Sequence, residues 1–208
     1  MTERDVKIES SMRPLLIATQ NLHKLEEYRA LLAGLHFELR SLLDAGIDED
    51  VEETGVTFED NARLKAERYR DLSGLLTLAD DSGLEVDALN REPGVHSRRW
   101  AGDEASDDDR NRLLLARLMG IADERRTGRF RCAIALASPD RPTSVVEGTV
   151  EGRIAHQPAG PNGFGYDPIF YVPELGRTLG EAPAEIKNSV SHRARAAAAA
   201  RRELENWA

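Results

Sequence analysis

A chain of 208 residues, 40% of them hydrophobic, can close one sizeable core, and no apolar run in it nears the roughly 20 residues that span a bilayer. A formal net charge of −9 argues against a nonspecific nucleic-acid binder, which uses surplus basic charge to displace phosphate counterions. Cys132 is the only cysteine, which excludes an intramolecular disulfide and a cysteine-based zinc cluster, and it reads as a core residue.

Residues 1–13 mix acidic, basic and polar side chains without the apolar stretch of a secretion signal. They read as a flexible extension, with the cytoplasm as the expected compartment and residues 14–208 as one domain. The apolar run at 14–19 predicts a buried strand. Leu22, Leu25, Tyr28, Leu31 and Leu32 then recur at helical spacing, with Gly34 as the stop. A second strand fits 37–39, and 44–55 is an acidic loop. Thr57, three residues ahead of Asp60, opens a helix that carries Asn61, Lys65 and Tyr69. The strand predicted at 75–79 ends at Asp80-Asp81-Ser82-Gly83. After an irregular stretch over 90–105, Ser106 with Asp109 opens a helix closed by Gly120. Phe130, Cys132, Ile134 and Leu136 alternate with their neighbours, and 144–154 continues in the same style, which predicts antiparallel strands. The Gly/Pro-rich segment 158–168 is a loop, and Ser191 caps a final alanine-rich helix. Early alternation of helices and strands followed by clustered strands predicts an α/β class with a mixed sheet.

Four segments carry chemistry. The turn Thr19-Gln20-Asn21-Leu22-His23-Lys24 joins a strand to a helix, where unpaired amides offer an anion site and Lys24 adds charge. Asp80-Asp81 sets two carboxylates side by side, which repel unless a cation or a basic group lies nearby; a divalent metal is the economical explanation, with Glu52 or Glu53 completing its coordination. Gly163-Phe164-Gly165-Tyr166-Asp167 places aromatics between glycines, suited to stacking on a base, while the alternative is a loop whose aromatics plug the core. Lys187, His192 and Arg193 bring cations to the start of the last helix, where they oppose its dipole unless an anion binds. The chain has 24 arginines and four lysines, and three of those lysines, Lys24, Lys65 and Lys187, fall in these motifs. Metal-binding acids, phosphate-binding cations and a stacking loop together describe an enzyme acting on a nucleoside triphosphate.

With these segments in order, the chain resembles the inosine triphosphate pyrophosphatase family, the dITP/XTP pyrophosphatases, from about residue 15 to residue 204. The resemblance rests on Thr19, Asn21 and Lys24; Glu52-Glu53-Thr54-Gly55; Asp60-Asn61-Ala62 with Lys65; Asp80-Asp81-Ser82-Gly83; Gly163 to Pro168; and Lys187-Asn188 leading to Ser191-His192-Arg193. It implies an elongated mixed β-sheet flanked by helices, two lobes with the active site in the cleft, a homodimer, and Mg²⁺-dependent release of pyrophosphate from ITP, dITP or XTP. By the same resemblance residues 19–24 and Lys187 hold the triphosphate, Glu52 and Asp81 contact Mg²⁺, and Asp81 activates the attacking water. Ser82, Phe164, Gly165, Tyr166, Asp167, His192 and Arg193 would hold the substrate, the last two recognising the purine, and Lys65 would be a phosphate or supporting partner. Three positions depart from the family pattern: Gln20 replaces a glycine, Arg98-Arg99-Trp100 replaces a milder stretch, and Ala194 stands where glycine is common.

Overall fold

The computed structural model describes residues 12–207; of the extension expected at 1–13, residues 1–11 lie outside the described residues. One seven-stranded open sheet organises the chain. Its strands are β1 (Arg13–Ile17), β2 (Phe37–Ser41), β3 (Leu76–Val86), β4 (Thr127–Ser138), β5 (Arg141–Ile154), β6 (Phe170–Val172) and β7 (Arg177–Thr178), in the spatial order β2-β1-β3-β4-β5-β6-β7. β1 is parallel to both β2 and β3, and every later pairing is antiparallel, so the sheet is mixed as expected.

Among the described residues the α-helices are α1 (Leu22–Leu31), α2 (Phe58–Ser73), α3 (Asp107–Arg117), α4 (Ala184–Val190) and α5 (His192–Glu205). Their starts follow the local chemistry. Thr57 Oγ1 accepts the Asp60 amide at 3.1 Å, Ser106 and Asp109 form a reciprocal capping box, and Ser191 Oγ accepts the Ala194 amide. Gly74, at φ +68°, ends α2 in the left-handed conformation that a side chain resists. The short α4 is not legible in the pattern of the sequence. Leu22, counted there among the apolar helical positions, is 71% exposed.

β3 shows how the sheet divides the core. Leu76 and Leu78 meet α1 and α5 on one face, and Leu84 and Val86 continue that face toward α3; Ala79 packs with α2 on the other. The β1–β3 pairing covers Leu15–Ile17 against Leu76–Leu78, with a last bond from the Ala18 amide to the Leu78 carbonyl at 2.8 Å. β3 runs on through Asp80 and Asp81 to Val86, paired with β4 throughout. The acidic pair is therefore mid-strand. The expectation of a strand end at residue 79 is corrected, because β4 pairing carries the ladder past the point where the apolar run stops.

Candidate active site

Strand periodicity separates the two neighbouring carboxylates, since successive side chains of β3 point to opposite faces. Asp80 turns toward α1 and α5, where Lys24 Nζ donates to Asp80 Oδ2 at 2.9 Å and Arg193 Nη2 lies 3.6 Å from the same oxygen. Burial alone would raise the Asp80 pKa, but Lys24, Arg193 and Lys65 outweigh it and hold the carboxyl well below its usual range. Asp80 is thus a charge anchor, with basic side chains supplying the counter-charge that it calls for.

Asp81 turns toward α2. Its Oδ2 accepts from Asn61 Nδ2 at 3.0 Å and its Oδ1 from the Ser82 amide at 2.9 Å. Among the described residues no lysine or arginine stands within ion-pair distance of it, although it is only 5% exposed. Burial raises its pKa, and with the Glu53 charge pushing the same way it outweighs the opposing charges of Lys65 and Lys24. Glu53 in turn receives Lys65 Nζ at 2.5 Å, whereas Glu52 is exposed. The acid that accompanies Asp81 and Lys65 is accordingly Glu53 rather than Glu52. The two differ in burial: the Glu53 side chain is 25% exposed and meets Lys65, while Glu52 stays at the surface.

The turn at 19–24 is built as a helix cap. Asn21 Oδ1 accepts the amides of His23 and Lys24 at 2.9 and 3.2 Å, and Thr19 Oγ1 accepts the Asn21 amide at 3.2 Å. Gln20 and Leu22 face solvent. The side chain of Asn21 therefore satisfies two of the amides that were expected to be open to an anion. The His23 ring stacks on Phe164 with centroids 5.4 Å apart and an interplanar angle of 13°.

Phe164 also has Lys187 Nζ at 4.5 Å and the Arg193 guanidinium at 5.6 Å from its ring centre. Gly165 is tied through its amide to Asp107 at 2.7 Å and through its carbonyl to Asn111 at 3.0 Å. Tyr166 is 4% exposed, packs in the core with Leu114 and Phe170, and donates its hydroxyl to the Ser97 carbonyl at 2.9 Å. The Tyr166 side chain thus takes the place that the core-plugging alternative gives it. Asp167, 2% exposed, accepts the Phe164 amide and Lys187 Nζ at 2.8 and 2.6 Å, and burial raises its pKa.

Lys187 bridges Asp167 and Glu27, the latter at 2.7 Å, and Arg193 Nη1 meets Glu27 at 2.5 Å. Arg193 Nη2 donates to Ser82 Oγ at 2.9 Å. Glu27 was not singled out from the sequence; its place three residues after Lys24 puts both on one face of α1, which is the signal that was there to read. His192 stacks on Phe130 at 4.7 Å, and burial with the nearby charges of Arg193 and Lys187 drives its pKa down, leaving a neutral ring. His192 Nδ1 and Arg193 Nε are buried without a hydrogen-bond partner, as is Asp80 Oδ1. Of the cations expected at the start of α5, Lys187 and Arg193 are thus matched by Glu27, Asp80 and Asp167, while His192 Nδ1 and Arg193 Nε stay unsatisfied.

Among the described residues no three His, Cys, Asp or Glu side chains gather into a metal cage. A magnesium ion does not require one: it binds through one or two carboxylates and completes its shell with water and phosphate oxygens. Asp81, buried, raised in pKa and close to Glu53, fits that donor set.

A model of the Ham1 family matches residues 15–203. A dITP/XTP pyrophosphatase of Geobacillus kaustophilus is 51% identical over 185 residues, covering 89% of this chain and 91% of that protein. One of Geobacter sulfurreducens is 50% identical over 187 residues, with 90% and 94% covered. The solved structure of a HAM1 protein from Coxiella burnetii superposes with a TM-score of 0.86 at 42% identity, covering 94% of this chain and all of that one. By the length of these matches the chain belongs to the Ham1 family, which includes the dITP/XTP pyrophosphatases that its motifs resemble.

Proposed function

We propose that the chain hydrolyses non-standard purine nucleoside triphosphates, ITP, dITP and XTP, to the monophosphate and pyrophosphate, with Mg²⁺, and so removes them from the nucleotide pool. The observation that carries this reading is the condition of Asp81. In a network where Asp80, Asp167, Glu27 and Glu53 each hold a lysine or arginine, Asp81 alone has only Asn61 and a backbone amide. A buried carboxylate with a raised pKa and no direct ion pair among the described residues is suited to take a proton from water and to face a metal.

When bound, Mg²⁺ supplies charge neutralisation on phosphate oxygens and polarises the phosphorus under attack; Asp81 and Glu53 would hold it, Glu53 taking the place that the resemblance gave to Glu52. The residues of this chain do the rest. Asp81, held in place by Asn61, orients a water toward the α-phosphorus and receives its proton. Lys24, Lys65 and Lys187 present positive charge to the polyphosphate, already positioned by Asp80, Glu53 and Asp167. The base stacks on Phe164, with His23 moving off the ring to admit it. Arg193 Nε, a buried donor without an acceptor, suits the 6-oxo group of hypoxanthine or xanthine, whereas the 6-amino group of adenine would leave it unpaired.

The same reading makes the enzyme a cytoplasmic homodimer; no helix among the described residues is long and apolar enough to cross a membrane. Incubation with Mg²⁺ and ITP, XTP, ATP, GTP or a pyrimidine triphosphate tests the assignment, with pyrophosphate and monophosphate expected from ITP and XTP in preference to the others. Orthophosphate with a diphosphate product would refute attack at the α-phosphorus.

A further inference from the structure

We propose that Arg99 clamps the pyrophosphate end of the substrate and neutralises it as it leaves. The role rests on attack at the α-phosphorus as proposed above.

The charge balance of the site calls for such a residue. Its interior holds five carboxylates, Glu27, Glu53, Asp80, Asp81 and Asp167, against four cations, Lys24, Lys65, Lys187 and Arg193, and each of those cations is already in contact with an acid. A triphosphate adds roughly four negative charges to this, more than one divalent ion offsets. A further cation must therefore come from outside the paired set.

Arg99 is placed to supply it. Its backbone is fixed on both sides. Two residues earlier, Ser97 Oγ accepts the Leu84 amide of β3 at 2.9 Å and donates to the Gly94 carbonyl at 2.6 Å, while the Ser97 carbonyl receives the Tyr166 hydroxyl. Gly83, next in β3 after the acidic pair and Ser82, has no room for a Cβ because Ser97 Oγ and the Gly94 carbonyl press on it. One residue later, Trp100 packs against the core and lies under the Arg117 guanidinium at 5.4 Å. Between these anchors the Arg99 side chain is 44% exposed. Among the described residues its guanidinium has one ionic contact, 3.9 Å from Glu53 Oε2, the carboxylate oxygen that Lys65 leaves open. At that distance the fork is beyond hydrogen-bond reach and uncommitted.

Its position also matches the path of the substrate. A base on Phe164 lies with Lys187 and Arg193 on the Asp80 side of β3, while Glu53, Lys65, Asp81 and Arg99 gather on the other side. The phosphates pass from one side to the other beyond the end of β1, bringing their far end to Arg99. As the water oxygen bonds to the α-phosphorus, the bond from that phosphorus to the bridging oxygen breaks and its electron pair leaves on pyrophosphate. Arg99 stays protonated and transfers nothing; its planar fork can hold two phosphoryl oxygens at once.

The test uses the full chain with Arg99→Ala and Arg99→Lys, measuring kcat and KM for ITP and inhibition by inorganic pyrophosphate and by inosine monophosphate. Arg99→Ala is expected to weaken pyrophosphate inhibition about ten- to a hundredfold, to raise KM, and to leave inosine monophosphate inhibition unchanged. Lysine should restore part of the loss, since it keeps the charge without the fork. An active wild type whose pyrophosphate inhibition survives Arg99→Ala overturns the clamp alone, and so does equal weakening toward both products, which would mark a general disturbance of the site. A wild type that releases no pyrophosphate from ITP removes the functional reading itself, and the clamp with it.

Discussion

Asp80 and Asp81 are bonded neighbours in the chain whose carboxylates serve opposite faces of β3, the first in contact with Lys24 and Arg193, the second held by Asn61. They should respond differently to the same substitution. Asp81→Asn is expected to lower ITP turnover by about 10²- to 10⁴-fold while the melting temperature changes little, because the change removes a buried charge that makes no direct ion pair and Lys65 keeps its contact with Glu53. Asp80→Asn leaves Lys24 and Arg193 short of a counter-charge in a buried place and should cost on the order of 3 kcal/mol of stability. Turnover and thermal unfolding of the two variants side by side check this; equal melting temperatures would contradict the division of roles.

Glu52 and Glu53 form a second adjacent pair with unequal surroundings. Glu53→Gln should lower activity at least tenfold, roughly the loss of one charge-assisted contact, and shift the magnesium concentration needed for half-maximal rate upward. Glu52→Gln, at an exposed position, should match the wild type in both. A magnesium titration of the two variants decides which glutamate belongs to the site.

Glu27 ties α1 to α4 and α5 through Lys187 and Arg193. Glu27→Gln is expected to destabilise the fold by about 3 kcal/mol at neutral pH, since two nearly buried cations lose a shared partner. Burial raises the Glu27 pKa, but the charges of Arg193 and Lys187 prevail and the folded value lies below the ordinary one. A depressed folded pKa means that the stabilisation is complete above the ordinary carboxylate value and is lost as pH falls through the folded value. The gap in melting temperature between wild type and variant should therefore stay constant from pH 7 to about 5 and close below about 4. A gap that widens in acid would show that the sign is wrong.

Tyr166, through its hydroxyl on the Ser97 carbonyl, supports the loop that holds Arg99. Tyr166→Phe should leave the Ser97 carbonyl without its donor and lower stability by about 1 kcal/mol, with KM for ITP near that of the wild type. Phe164→Ala should do the reverse, raising KM with a smaller change in melting temperature, because its half-exposed ring carries no core packing of that kind. Steady-state kinetics on both variants, paired with thermal melts, separates the two aromatics.

Local chemistry made much of this protein readable in its sequence. Thr57, Ser106 and Ser191 are helix starts because a short side-chain oxygen reaches an amide two or three residues on, and alternation from Phe130 to Leu136 marks β4, whose small and apolar residues pack on both faces. The ordered motifs were sufficient to identify the family, since each is a short run of residues whose types and spacing survive without any knowledge of their contacts. Tertiary structure alone decided what each charged group is for. Whether β3 ends at Ala79 or continues to Val86 depends on hydrogen bonds to β4, whose partners Gly128 to Ile134 lie far along the chain, and that continuation sends Asp80 and Asp81 apart. The choice of Glu53 over Glu52, the counter-charge from Glu27 and the reach of Arg99 have the same origin: a side chain's partner is fixed by which distant backbone passes within a few ångströms of it, and no local pattern encodes that distance.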